Sequence, residues 1–225
     1  MRRTSLKRDV RQILNMTSLR DFERFIRLLA SRSTTMLNKS DVARDVGISV
    51  KAVDDWLSVL QISGQTILLE PWFVNFGKRI VKTPKLYFRD SGLLCFLLNL
   101  SETTLSASPA LGAVWETFLF AEMRKLNSIL PQPVNFWYYR DQRAREIDFV
   151  IESGGRLTFV ECKWQEHPRK DDARHILAVH EELARSATSW RPGRHYVVGT
   201  PSSTYEITSG VTAGALRDIP RILSG

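Results

Sequence analysis

Cysteine is nearly absent: the 225 residues hold two, Cys95 and Cys162, far apart and each inside an apolar or strand-like run. That excludes a disulfide framework and a cysteine zinc site, and it fits a reducing compartment, so a cytoplasmic location is expected. Long apolar runs are missing too. The longest lies around residues 92–98, far short of the ~20 residues that span a bilayer, and the opening MRRTSLKRDV has no secretory apolar stretch, so no membrane partner is expected. No G-x-x-x-x-G-K-[ST] loop occurs. Gly77 and Lys78 lack both the earlier glycine and the following hydroxyl that cradle phosphate and magnesium, and no ATPase activity is expected of this chain. His167, His175, His180 and His195 show no ligand spacing with a third metal donor and read as surface or helix residues. No internal repeat and no low-complexity tract is present.

What is there describes an ordinary globular chain, with 43% hydrophobic and 25% charged residues and length for one large domain or two modest ones. Its net charge of +8 makes nucleic acid the expected partner, because each phosphate contacted by Lys or Arg releases counterions. A merely solvated basic surface is the plainer alternative.

The amino-terminal part, residues 1–100, reads as a helical module. Leu19, Phe22, Phe25, Ile26 and Leu29 recur at helical spacing over 19–30. A second helix fits 39–46 behind Asn38, with Gly47 suited to the left-handed stop, and Ser49 caps a third whose Val53, Trp56, Leu57 and Leu60 share a face before Gly64. An extended run at 66–73 completes a winged-helix outline. The exposed face of the third helix carries Lys51, Asp54, Asp55 and Ser58, and adjacent carboxylates repel phosphate, so packing is favoured over base reading. Lys78, Arg79, Lys82 and Lys85 form a basic run that either touches nucleic-acid backbone or is a solvated face. A buried helix is expected at 92–100, and the Ser-, Thr- and Pro-containing stretch 101–110 marks the boundary.

From 110 to 225 the pattern is α/β: helix 112–127, strands 135–139, 146–152 and 157–163, helix 171–184, strand 194–198, giving a mixed sheet with flanking helices. Gly154 and Gly155 suit the positive φ angles of a two-residue hairpin. That turn sets Ser153 opposite Arg156 and, counted back, Asp148 opposite Glu161 and Glu146 opposite Lys163, all on one face. Two carboxylates ~5 Å apart repel by about 3 kcal/mol at an effective dielectric of 20. A divalent cation, Mg2+ or Mn2+, is the usual chemical reason for such a pair, with Lys163 placed to steady charge or orient water. An ordinary Glu146–Lys163 ion pair on a wet face is the competing reading. Glu116, on the apolar flank of the first helix beside Ala113, Phe120 and Met123, needs a partner and joins the candidate ligands, a capping or solvated role being the alternative. Trp164, next to Lys163, either stacks on a base or packs.

Glu116, EID at 146–148 and ECK at 161–163 together resemble the split motif of the PD-(D/E)XK nuclease superfamily. RDV at 8–10, LNKSDVARDVGIS at 37–49, NFGKRIVKTPKLYFRDSGLL at 75–94 and LGAVWETFLFAEM at 111–123 resemble the carboxyl-terminal region of bacterial and archaeal AAA+ type ATPases carrying the domain of unknown function 4143. The resemblance runs from about Thr4 to Leu183. It implies a winged-helix-like module followed by a restriction-endonuclease-like domain, a metal-dependent nuclease with Glu116, Asp148, Glu161 and Lys163 in the site, and an ATPase domain as partner. The competing implication is a non-catalytic module binding nucleic acid or protein for such an ATPase.

Overall fold

The computed structural model describes residues 19–72, 83–185 and 190–224. It opens on α1 (Leu19–Ser31), α2 (Lys39–Val46) and α3 (Val50–Ile62). The local chemistry of their ends is as the sequence requires. The Asn38 side chain accepts from the amides of Ser40 and Asp41, Gly47 stops α2 at φ 82°, and the Ser49 hydroxyl accepts from Ala52 N–H. Phe22, Phe25 and Leu29 meet Val53, Trp56 and Leu57 in a core where Trp56 stands edge-on to both phenylalanine rings.

Strand β1 (Thr66–Leu69) is shorter than the expected extended run, and it pairs antiparallel with β2 (Lys85–Phe88), which no pattern in the sequence announced. All four residues of β2 are buried because the strand is sandwiched. Leu86 and Phe88 face the helical core, whereas Tyr87 joins the core of the carboxyl-terminal half with Leu69. Asp90 then caps α4 (Ser91–Leu97) by accepting from Leu93 N–H. The expected boundary stretch carries a short helix, α5 (Glu102–Leu105), closed by reciprocal bonds between Ser101 and Thr104.

In the second half α6 (Leu111–Asn127) packs on a mixed sheet of β3 (Asn135–Arg140), β4 (Glu146–Ser153), β5 (Arg156–Cys162), β7 (His195–Val198), β9 (Val211–Gly214) and β8 (Tyr205–Thr208), in the order β3-β4-β5-β7-β9-β8. The two-residue β6 (Arg191–Pro192) runs beside the start of β5. The sheet is antiparallel from β3 to β5 and parallel across β5, β7 and β9. Helix α7 (Arg174–Arg185) follows a 3-10 turn at Lys170–Ala173, and α8 (Ile219–Ser224) closes the chain with Ile219, Ile222 and Leu223 in the core. Gly154 and Gly155 both have positive φ, 54° and 79°, and the hairpin register runs from Ser153 opposite Arg156 to Phe149 opposite Val160.

The histidines depart from expectation in one respect. His195 is buried on β7, where its Nδ1 accepts the amide of Phe159 and its Nε2 lies 2.8 Å from Nδ1 of His180. Burial, with His180 beside it, pushes its pKa down to about 3. The neutral ring therefore pins β5 and α7 together rather than sitting at the surface.

Candidate active site

The hairpin fixes the site because it sets two strands of alternating side chains in register. Its ladder continues to Phe149 and Val160, and one step further a side chain replaces the backbone: Asp148 Oδ2 accepts the amide of Cys162 at 2.8 Å. Glu161, the residue before Cys162, is 5% exposed and lies at 3.5 Å, through its Oε2, from Lys163 Nζ. Its other oxygen, Oε1, is buried and accepts no hydrogen bond from any of the described residues. Helix α6 brings Glu116 to the same place, where Tyr87 donates its hydroxyl to Glu116 Oε1 at 2.5 Å. The structure thus brings Glu116, Asp148, Glu161 and Lys163 together.

Lys85 is a correction. It is no surface cation for a nucleic-acid backbone: it is 2% exposed, and its ammonium enters the cluster from β2, 2.5 Å from Glu146 Oε1, 3.6 Å from Asp148 Oδ1 and 3.6 Å from Glu116 Oε1. The Tyr138 ring lies 5.4 Å from the same nitrogen. Lys78, Arg79 and Lys82 lie outside the described residues. Glu146 does not face Lys163 as the extrapolated hairpin implied. It pairs with Lys85 and with Arg140, its ladder partner on β3, while the Lys163 amide turns to Val198 O at 3.0 Å as β5 passes from β4 to β7.

The electrostatics follow from four carboxylates sharing few cations out of water. Burial, then repulsion from Asp148, pushes Glu116 up to about 7 against the pull of Lys85 and the Tyr87 hydroxyl. Burial and Asp148 likewise push Glu161 well above the ordinary carboxylate range, despite Lys163 and Lys85. Burial also presses on Glu146, but Lys85 and Arg140 outweigh it and hold that carboxyl below its usual value. Burial disfavours the charged form of Lys163, yet Glu161 and Asp148 prevail and keep it an ammonium. Lys85 is held charged in the same way by Glu116, Asp148 and Glu146.

A raised folded-state pKa at Glu116 has a definite sign in stability. Below about pH 4.5 the group is protonated whether folded or not; between about 4.5 and 7 the unfolded chain loses this proton while the folded one keeps it. Stability is expected to fall as pH rises through that window. Urea denaturation at pH 5, 6, 7 and 8 should show it, and Glu116→Gln should flatten the dependence; an unaltered slope in the variant would assign it elsewhere.

Among the described residues no group of three or more His, Cys, Asp or Glu is arranged to hold a metal ion. Lys85 stands among Glu116, Glu146 and Asp148 instead. The pair Asp148 and Glu161 remains, with all-oxygen donors and the partnerless Glu161 Oε1, and that fits a hard divalent ion such as Mg2+, which commonly takes one or two carboxylates and fills its shell with water and phosphate.

The turn after β5 is held tightly. A Cβ on Gly199 would come within 2.5 Å of Gln165 O and 2.9 Å of Lys163 O. Gly199→Ala is expected to cost about 1–3 kcal/mol, and urea unfolding would measure it; an unmoved midpoint would show that this turn yields freely. Trp164, between those two carbonyls, is 51% exposed and sets its ring edge-on to Trp115, 5.0 Å between centroids, where both line an apolar groove of about 490 Å³ between α4, α5 and α6. Both a packing contact and a free face are present.

Residues 2–104 match the family described as Domain of unknown function (DUF8612), and residues 111–219 the family described as Domain of unknown function (DUF4143). The likeness to the latter family therefore covers residues 111–219, and the first half matches a separate family. Uncharacterized proteins of Mycobacterium bovis (Mb2031c) and Mycobacterium tuberculosis (Rv2008c) are each 31% identical over 193 residues, 85% of this chain and 43% of theirs. The chain spans less than half the length of these curated relatives. No solved structure matches it.

Proposed function

We propose that the carboxyl-terminal half is a divalent-metal-dependent phosphodiesterase acting on DNA or RNA. The observation that carries this reading is Glu161 Oε1, a buried carboxyl oxygen with no donor among the described residues, set beside Asp148 and Lys163. A fold holds such an oxygen at a cost of a few kcal/mol unless something binds it. Asp148 and Glu161 would hold the ion, which supplies Lewis-acid stabilisation of the phosphate and a more acidic water. Lys163, kept protonated by its two acidic neighbours, cannot serve as the base; it donates to a phosphate oxygen or holds the attacking water. Glu146, Lys85 and Glu116 set the position of Asp148. The likeness of EID and ECK to the PD-(D/E)XK motif supports the same chemistry, and the net charge of +8 suits a polyanion. In this reading the three helices and the β1–β2 pair form a winged-helix-like module beside the nuclease-like domain, and an ATPase domain is the proposed partner.

One observation favours a second reading. The Lys85 ammonium already pairs with three of the carboxylates, as expected of a module that keeps the nuclease-like fold for binding alone. The purified chain, incubated with single- and double-stranded DNA and RNA in Mg2+ or Mn2+, separates the two. Cleavage lost on chelation upholds the first; salt-sensitive binding without cleavage upholds the second.

A further inference from the structure

Phosphodiesterases that use two metal ions set them about 3.5–4 Å apart around a shared carboxylate. Asp148 would be the shared carboxylate here, because its two oxygens have different partners. One of its oxygens, Oδ2, accepts the amide of Cys162, the residue after Glu161, while Oδ1 faces Lys85 at 3.6 Å. The ammonium is flanked by Glu146 Oε1 at 2.5 Å and Glu116 Oε1 at 3.6 Å. Three carboxylates from α6 and β4 thus converge on one point, and a lysine from the other half of the chain fills it.

We infer that Lys85 is a built-in second cation, so that the site takes one divalent ion, at Asp148 and Glu161, and not two. This rests on the metal-dependent reading above. The ammonium cannot be swapped cheaply for a metal. A lysine at 2% exposure, walled in by the Tyr138 ring, has no water to retreat to, and an arriving ion would have to strip it of three partners and leave its charge buried alone. Nor can β2 readily withdraw. Lys85 lies opposite Leu69 and bridges to Met36, the Leu86 amide bonds to Thr35 O, and Leu86 and Phe88 are locked in the helical core. The amino-terminal half therefore contributes a positioning residue: Lys85, itself buried, draws Glu146, Asp148 and Glu116 together. With the ammonium removed, those three carboxylates would be left around its place with oxygen donors alone, the donor type a hard divalent ion takes.

The test is a Mn2+ titration of the whole chain, with bound ions counted by calorimetry and by electron paramagnetic resonance of free Mn2+. Wild type is expected to bind one ion, lost in Glu161→Gln, and Lys85→Met to bind two, with a melting temperature that Mn2+ raises further than it raises that of wild type. Two ions in wild type overturn the inference, as does a folded Lys85→Met that still takes one. If wild type binds none, the metal-dependent reading fails; an ion gained by Lys85→Met would then still uphold Lys85 as the resident cation, and none in either would end both. Should Lys85→Met not fold, Glu146→Gln, which keeps the ammonium and its other two partners, must still bind one ion, and a count of two there overturns the inference.

Discussion

Glu161→Gln is expected, on the metal-dependent reading proposed above, to lower divalent-metal-dependent cleavage on the order of 10³-fold while making the metal-free protein more stable. The fall follows from the several kcal/mol of transition-state charge stabilisation that a catalytic metal contributes, each 1.36 kcal/mol being a factor of ten in rate. The rise follows from geometry. Glu161 is buried with one oxygen that accepts nothing from the described residues, and burial and Asp148 hold its pKa well above the usual range. The folded state therefore resists ionisation that the unfolded chain accepts, and stability is lost as pH climbs above the ordinary carboxylate value. Glutamine keeps the shape, removes that loss and brings an N–H2 that can donate to a neighbouring carboxylate. Single-turnover cleavage and urea denaturation at pH 8 would measure both. A variant that keeps cleaving takes the ion away from Glu161; a variant both inactive and less stable makes the residue a structural one.

Lys85→Ala is expected to have the largest effect on stability, about 3–5 kcal/mol at neutral pH, the usual result of breaking a buried ion pair from one side. Here three carboxylates lose their shared cation at once. The loss should shrink toward pH 5 as those groups protonate without desolvated charge, a dependence that a cavity alone would not produce. Chemical denaturation of the variant and wild type at pH 5 and pH 8 checks this. Equal losses at the two pH values would assign the effect to lost packing around the lysine stem.

These effects centre on a residue whose setting is non-local. Helix caps at Asn38, Ser49 and Asp90, the stop at Gly47 and the hairpin at Gly154 and Gly155 all depend on neighbours a few residues away, and the sequence by itself determined them. Hairpin register in turn set Asp148 and Glu161 on adjoining strands, because alternation leaves no freedom once the turn is fixed. Tertiary structure alone decided the rest. In the run KLYF nothing local says that β2 is buried on both faces, and alternation then sends Lys85 and Tyr87 into one core and Leu86 and Phe88 into another. A lysine in a short apolar strand is a signal that an acid must be found for it, but which acid depends on contacts across 31 residues to Glu116 and 61 to Glu146. Extrapolation to a Glu146–Lys163 pair failed for the same reason: past Val160 the carboxyl end of β5 leaves β4 for β7, and a parallel neighbour far along the chain cannot be read from a hairpin. Local turns fix local register; only packing two halves together could place a cation among the acids.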